Sequence, residues 1–344
     1  VNPDRWQARC CSDRQQGAAL MIVIFIFALV SILSVGIYNR QSLFVQKAGN
    51  ILAQSQAYEY AVASEIYGKR LLKADWDKDK EDGRMVDDLE QVKNSLVVPV
   101  DQAFLEAQFN DVQGKLNIND LVRVSASSQS TQGTPAPTLN QAMVDRFKRL
   151  FSSLSIEEAK VEALIDWIDA DQEPSNFEGA EDGEYLSREP PYRNAGQPMN
   201  HVSELLLIQG MTQDDFGKLL PHVTVLPPGR ATINVNTATE EVLLSLSGDL
   251  NQALVKRLVE ARESKAWETI ESFRADPALV NVKLFAGDLG VSSNFFEVAT
   301  KITLGDRTER LVSLIYRKPE DGSMQTLSRD QSQKYLITKE RVAL

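Results

Sequence analysis

The hydrophobic pattern of the chain is uneven from its start. Residues 18–37 (AALMIVIFIFALVSILSVGI) are almost wholly apolar, and no charge occurs between Arg14 and Arg40. About twenty residues at a rise of ~1.5 Å give roughly 30 Å, the thickness of a bilayer's hydrocarbon core. Beyond Tyr38 the apolar positions thin out but keep a helical period through Leu43, Phe44, Ile51, Leu52, Tyr58, Ala61, Val62, Leu71 and Leu72. That spacing predicts one helix running on to about Lys73 and ending before the charged stretch DWDKDKEDG.

The period then changes. Leu105, Ala107 and Phe109 alternate with Glu106, Gln108 and Asn110, which predicts a strand, followed by a turn at Gly114-Lys115. Residues 125–138 are rich in Ser, Thr, Pro and Gly and read as a surface loop and a boundary. Amphipathic helical patterns occupy 141–154, 157–170, 202–208 and 214–220. Strict alternation returns late, over 294–304 and 308–317, with a further strand at 325–329. The pattern predicts an α+β protein whose antiparallel sheet is drawn from both sides of an all-α insert, rather than two domains in tandem.

Composition narrows the classes. With 344 residues, 43% hydrophobic, 25% charged and a mean hydropathy of −0.25, the chain is neither wholly disordered nor a multi-span membrane protein. A net charge of −11 disfavours general binding to phosphate backbones. The only cysteines are the adjacent Cys10 and Cys11, so the rest of the chain offers no thiol for a disulfide or a metal. No G-x-S-x-G, Walker A, H-E-x-x-H or C-x-x-C motif occurs, and the expectation is a protein that is not an enzyme. His201 and His222 flank helical segments, where capping or surface roles are expected.

Between Trp167 and Tyr185 the chain reads WIDADQEPSNFEGAEDGEY and carries Asp169, Asp171, Glu173, Glu178, Glu181, Asp182 and Glu184. Calcium takes 6–8 oxygen ligands, and an Asp-x-Asp pair at a helix end aims two carboxylates into one loop. Gly179 and Gly183 would let that loop fold tightly. The spacing is not that of an EF-hand. On chemistry alone, a calcium site and an acidic solvated loop both remain open.

Three readings fit the N-terminus: a secretory signal cut at Ser34-Val35-Gly36, a plain membrane anchor, or a polar leader ending at Gln15-Gln16-Gly17 before a retained helix. The last junction resembles a type IV prepilin leader. The resemblance implies cleavage by a prepilin peptidase between Gly17 and Ala18, with both cysteines leaving. Arg5, Arg9 and Arg14 favour a cytoplasmic leader and a body outside the cytoplasm. Most pilins carry a glutamate fifth after the cut; here that residue is Ile22. Its absence resembles the K-type minor pseudopilin of type II secretion, which is placed at the pseudopilus tip. The string DVQGKLNINDL resembles the D-x-x-G-[KR]-x-N-x-N-x-L segment of that family, and by itself reads as a hairpin turn. DADQEPSNFEGAEDGEY is similar to the family's calcium-binding segment. The resemblance implies structural calcium (Ca2+), with Asp169, Asp171, Glu181 and Asp182 as the best ligands and Glu178 and Glu184 as further ones.

Residues 233–275 open INVNTATEE and predict two short helices, 239–246 and 251–263, with Thr237 as N-cap and Glu240 completing a capping box. This resembles the helix-hairpin-helix of DNA-binding proteins and raises an alternative, a membrane-anchored DNA-binding or uptake protein. The hairpin Ser247-Gly248-Asp249-Leu250-Asn251 lacks the second glycine and turns an aspartate toward the anion. Lys256, Arg257 and Arg262 remain as phosphate contacts, but the favoured reading is a packing unit without a nucleic-acid partner, in which Asn234, Asn236 and Thr237 cap helices.

Taken together, the chain is identified as a member of the K-type minor pseudopilin family. The implied divisions are a leader (1–17), a transmembrane segment (18–38), pseudopilin helix and first strands (39–124), an inserted α-domain with the acidic loop (125–228), a helix-hairpin-helix-like region (229–290), and returning strands with a tail (291–344). The resemblance further implies a single-pass inner-membrane protein with a periplasmic body. The partners it implies are the I- and J-type minor pseudopilins, other pseudopilins and inner-membrane secretion components.

Overall fold

The helical period carries further than the charge pattern suggests. In the computed structural model, which describes residues 13–82, 96–100, 103–124, 137–177, 179–305 and 307–332, helix α1 spans Asp13–Asp82. The chain divides within it into two units, up to Glu59 and from Tyr60 onward. In the first unit the large apolar side chains from Leu20 to Tyr38 are exposed all round the helix, the pattern of a segment made for lipid.

In the second unit α1 buries Ala61, Ser64 with Glu65, Gly68, Leu72 and Trp76, recurring every three or four residues, so one stripe faces the sheet. The predicted stop near Lys73 is corrected by that stripe. Trp76 is buried, and the charged residues around it occupy the outer face: Lys73 and Lys80 stand 4.5 and 4.6 Å from its ring, and Lys73 pairs with Asp77. Gly68 is required for close approach, since a Cβ there would lie 2.3 Å from the Phe109 ring.

The sheet under this stripe has five antiparallel strands, β1 (Leu96–Val100), β2 (Ala103–Asp111), β3 (Phe295–Leu304), β4 (Arg307–Arg317) and β5 (Met324–Asp330), in that spatial order. β2 and β3 pair from Ala103↔Leu304 to Asp111↔Phe296, although more than 180 residues separate the paired ends. Everything between β2 and β3 is therefore an insert in the sheet, as the alternation predicts.

The insert holds α2 (Gln141–Ser153), α3 (Lys160–Ile168), α4 (Asp182–Leu186), α5 (Gln213–Leu219), α6 (Glu240–Ser245), α7 (Gln252–Ser264) and α8 (Ile270–Arg274). Phe147, Leu150, Phe151, Leu164, Leu243 and Leu258 are all inaccessible and belong to one core running from Leu116 to Leu289. The acidic-loop region and the helix-hairpin-helix-like region thus share a single interior. The insert is not purely helical: Leu116-Asn117 pairs in parallel with Val223-Thr224, and Ile233-Asn234 with Leu289-Gly290.

The DVQGKLNINDL segment is a splice rather than a hairpin. Asp111 Oδ2 accepts from Asn234 Nδ2 (3.0 Å), Thr237 Oγ1 (2.5 Å) and Ser293 Oγ (2.6 Å). Asn119 Nδ2 donates to Met199 O and Leu226 O, and Asn117 Oδ1 accepts from Leu226 N. Thr237 is therefore not a cap. Thr239 caps α6 two residues later, accepting from Val242 N. Asn236 bonds both Trp267 O and Trp267 N, and Arg262 donates inward to Val235 O and Ala238 O instead of facing a phosphate. His201 does cap a 3-10 helix, Val202–Leu207, while His222 is buried against the Thr239 hydroxyl.

Glu65 ties α1 to β4 and β5. Its oxygens accept from Arg329 Nε (2.7 Å) and Nη2 (3.1 Å), Ser313 Oγ (2.8 Å), Thr326 Oγ1 (2.5 Å) and Lys69 Nζ (2.8 Å). Burial alone would raise its pKa, but these bonds outweigh it and hold the carboxyl at about 2 against an ordinary 4.5. A depressed carboxyl stabilises the fold fully above its unfolded pKa, and that stability is lost as pH falls through the folded value. The shift corresponds to about 3 kcal/mol. Glu65→Gln is expected to lose about that much stability at pH 7. The gap to the unsubstituted chain should close as pH falls from about 4.5 toward about 2, as read by denaturant melts across that range.

Candidate metal centre

The acidic loop begins where α3 ends. Every residue from Val161 to Ile168 is buried, Asp166 completely, so a carboxylate is carried into an apolar surface. It is satisfied from the loop: Oδ1 accepts from Ser175 N (2.9 Å) and Oδ2 from Ala180 N (2.8 Å). Burial still raises its pKa, against those bonds. Asp166 thereby folds the loop back on the end of its own helix. Gly179 makes room for it, since a Cβ there would stand 2.1 Å from Asp166 Oδ2. Gly183, by contrast, lies inside α4 with open space beside it.

The fold brings Asp169, Asp171 and Glu181 together, with one carboxylate oxygen of each within 4.8 Å of the others. Asp169 is the C-cap of α3, and Glu181 the N-cap of α4. Asp169 Oδ1 and Glu181 Oε1 are buried and meet no hydrogen-bond donor among the described residues. Burial, then the charges of Asp171, Asp166 and Glu181, push the Asp169 carboxyl up to about 7. Burial also raises Glu181, against a bond from Asn194 and with the charges of Asp166, Asp171 and Asp182 adding to it. Asp171 is exposed, its Oδ1 accepting from Glu173 N.

Asp182 stands apart from this group. Its Oδ1 accepts from Asn194 N at 2.9 Å and its Oδ2 lies 3.7 Å from Arg193. Glu184 is exposed on the first turn of α4. Glu178 lies outside the described residues. Pattern reading misses Asp166 and Asn194. The signal for Asp166 is a charge within a wholly buried helical stretch; Asn194, distant along the chain, has none.

The arrangement suits a hard cation. Oxygens at 2.3–2.6 Å from calcium stand up to about 5 Å apart, so three oxygens within 4.8 Å of one another can share one such ion. Two buried carboxylate oxygens without donors among the described residues are the chemistry a dication satisfies.

Two family models described as type II secretion system (T2SS), protein K, match residues 114–228 and 233–292. A type II secretion system protein K of Pseudomonas aeruginosa is 31% identical over 327 residues, covering 93% of both chains. The chain belongs to the type II secretion system protein K family. A protein K of Pectobacterium carotovorum is 31% identical over 88% of this chain, and one of Aeromonas hydrophila is 30% identical over 88%. Among solved structures, a chain in the crystal structure of the GspK-GspI-GspJ complex from enterotoxigenic Escherichia coli matches with a TM-score of 0.70 at 26% identity, covering 83% of this chain and 99% of that one. The long N-terminal helix, antiparallel sheet and helical insert are therefore the protein K fold. The chain is a minor pseudopilin of type II secretion.

Gly179→Ala is expected to destabilise the insert by about 1–3 kcal/mol, because its Cβ must displace Asp166 or the loop. Gly183→Ala, in open space, should leave stability nearly unchanged. Thermal melts of the two variants side by side check the contrast.

Proposed function

We propose that this protein K subunit sits at the tip of the type II secretion pseudopilus and helps initiate its assembly. The observation that carries the reading is the unbroken helix Asp13–Asp82, apolar where a bilayer would hold it and laid on the sheet where the body begins. A cleaved secretory signal has no reason to continue in register into a helix of the fold. On this reading a prepilin peptidase cuts between Gly17 and Ala18, residues 18–38 anchor in the inner membrane, and the body lies in the periplasm. Ile22, fifth after the cut, gives no carboxylate to meet a subunit above, and the bulky insert stands in that subunit's way. The partners proposed are the I- and J-type minor pseudopilins, the classes joined in the solved complex, together with other pseudopilins below.

Calcium is the cation proposed for the acidic loop, held by Asp169 and Glu181 with Asp171 on the solvent side. When bound it would neutralise the crowded carboxylates and lock residues 169–181 between α3 and α4. The function is structural, and extracytoplasmic calcium suits modest affinity.

Two measurements test this. Mass spectrometry of the membrane-extracted chain should find an N-methylated Ala18, and an N-terminus at Ile37 would refute the pseudopilin reading. Titration of the detergent-solubilised full chain with calcium after chelation should raise its melting temperature. Asp169→Asn should abolish that response; no heat and no shift in the unsubstituted chain would sink the calcium reading.

A further inference from the structure

Asn194 occupies a position no ligand motif would predict. Its Nδ2 donates to Glu181 Oε2 (2.6 Å) and to Asp166 O (2.7 Å), while its backbone N donates to Asp182 Oδ1 (2.9 Å). Its Oδ1 accepts from Gly196 N at 3.4 Å. The amide can take only this orientation, because the reverse would set its oxygen against a carboxylate and a carbonyl. Glu181 is 7% exposed, and its other oxygen, Oε1, is buried and has no donor among the described residues. One residue thus holds both members of the adjacent Glu181-Asp182 pair, each by a different group.

We infer that Asn194 is the positioning residue that sorts this pair, presenting Glu181 to the cation through Oε1 alone and holding Asp182 out of the coordination sphere. The inference rests on the calcium reading above. A carboxylate with one oxygen engaged by an amide offers the other as a single ligand, in a fixed direction. A carboxylate held by a backbone N–H on the far side of the same residue cannot swing in without losing that bond. Asp166 completes the arrangement, its carbonyl taking the second Nδ2 proton and its carboxylate fixing the loop.

The test uses the full chain in detergent micelles, with calcium calorimetry and terbium(III) luminescence lifetimes in H2O and D2O to count metal-bound waters. Asn194→Ala is expected to weaken calcium about tenfold, the usual effect of removing a group that orients a ligand. It should also change the water count, which a loss of stability alone would not do. Asp182→Asn keeps an acceptor for Asn194 N and is expected to bind calcium within about twofold of the unsubstituted chain, while Glu181→Gln should lose about tenfold or more. Unchanged affinity and water count in Asn194→Ala, or a tenfold loss in Asp182→Asn, would overturn the sorting while leaving calcium binding intact. No binding by the unsubstituted chain would overturn both readings at the first titration. Should Asn194→Ala fail to fold by circular dichroism, the comparison of Asp182→Asn with Glu181→Gln decides.

Discussion

The buried carboxylate of Asp111 is the constraint on which the joining of sheet and insert depends. It sits at the last position of β2, where the chain leaves the sheet, and burial pushes its pKa up even as bonds to Ser293, Thr237, Gln113 N and Asn234 pull it down. A buried carboxylate needs donors, and a partly satisfied one costs more than an apolar replacement. Here the donors come from the stretch just after β2, from the 234–237 segment and from Ser293 just before β3. The two crossings between sheet and insert are thereby held to one point. Gln113 repeats the device, its Oε1 accepting from Asn294 N and Phe295 N and its Nε2 donating to Thr232 O.

This explains what pattern reading gets right and where it goes astray. Alternation in 105–109 and 294–317 is a property of one strand at a time, so the strands are legible without knowing their partners. The helices of the insert are legible for the same reason. The D-x-x-G-K-x-N-x-N segment is not. Asn, Gly and Asp are the residues of a local turn, and nothing nearby shows that the partners of Asn119 are Met199 and Leu226. Thr237 is misplaced likewise: a Thr three residues before Glu240 has the composition of a capping box, but its hydroxyl is taken by Asp111. The end of α1 is missed because Trp76 is read as part of a charged run when it is that run's single buried anchor.

The acidic loop divides in the same way. Its density of carboxylates and its Asp-x-Asp pair are local, so an acidic cluster is legible there; the fold draws together Asp169, Asp171 and Glu181 and leaves Asp182, ranked with them on sequence, apart. What would separate ligands from bystanders on the calcium reading is not local. Glu181 and Asp182 are neighbours of like charge, and composition cannot rank them. On the proposed reading the ranking would come from Asn194, beyond α4 in the chain, which bonds both residues, and from the depth of Asp166 on α3.

The loop is anchored in the core at both ends, and this bounds what a cation can do. On the α3 side, Trp167 meets the Tyr185 ring edge-on at 5.2 Å. On the α4 side, Tyr185 is inaccessible, its Oη accepting from Gln209 N, and Tyr192 Oη donates to Leu207 O. These contacts use apolar area and neutral bonds, and none requires a charge to be compensated. The carboxylates Asp169, Asp171 and Glu181 lie between the anchors. Their repulsion therefore falls on a short segment with fixed ends, not on the core that holds the insert together. A cation bound at this place, as proposed, would oppose local opening of the loop and, by binding only the native state, would also raise the melting temperature. On the proposed calcium reading, cation occupancy would order the surface that the loop presents, while the sheet, the splice at Asp111 and the helical core rest on bonds and packing of their own.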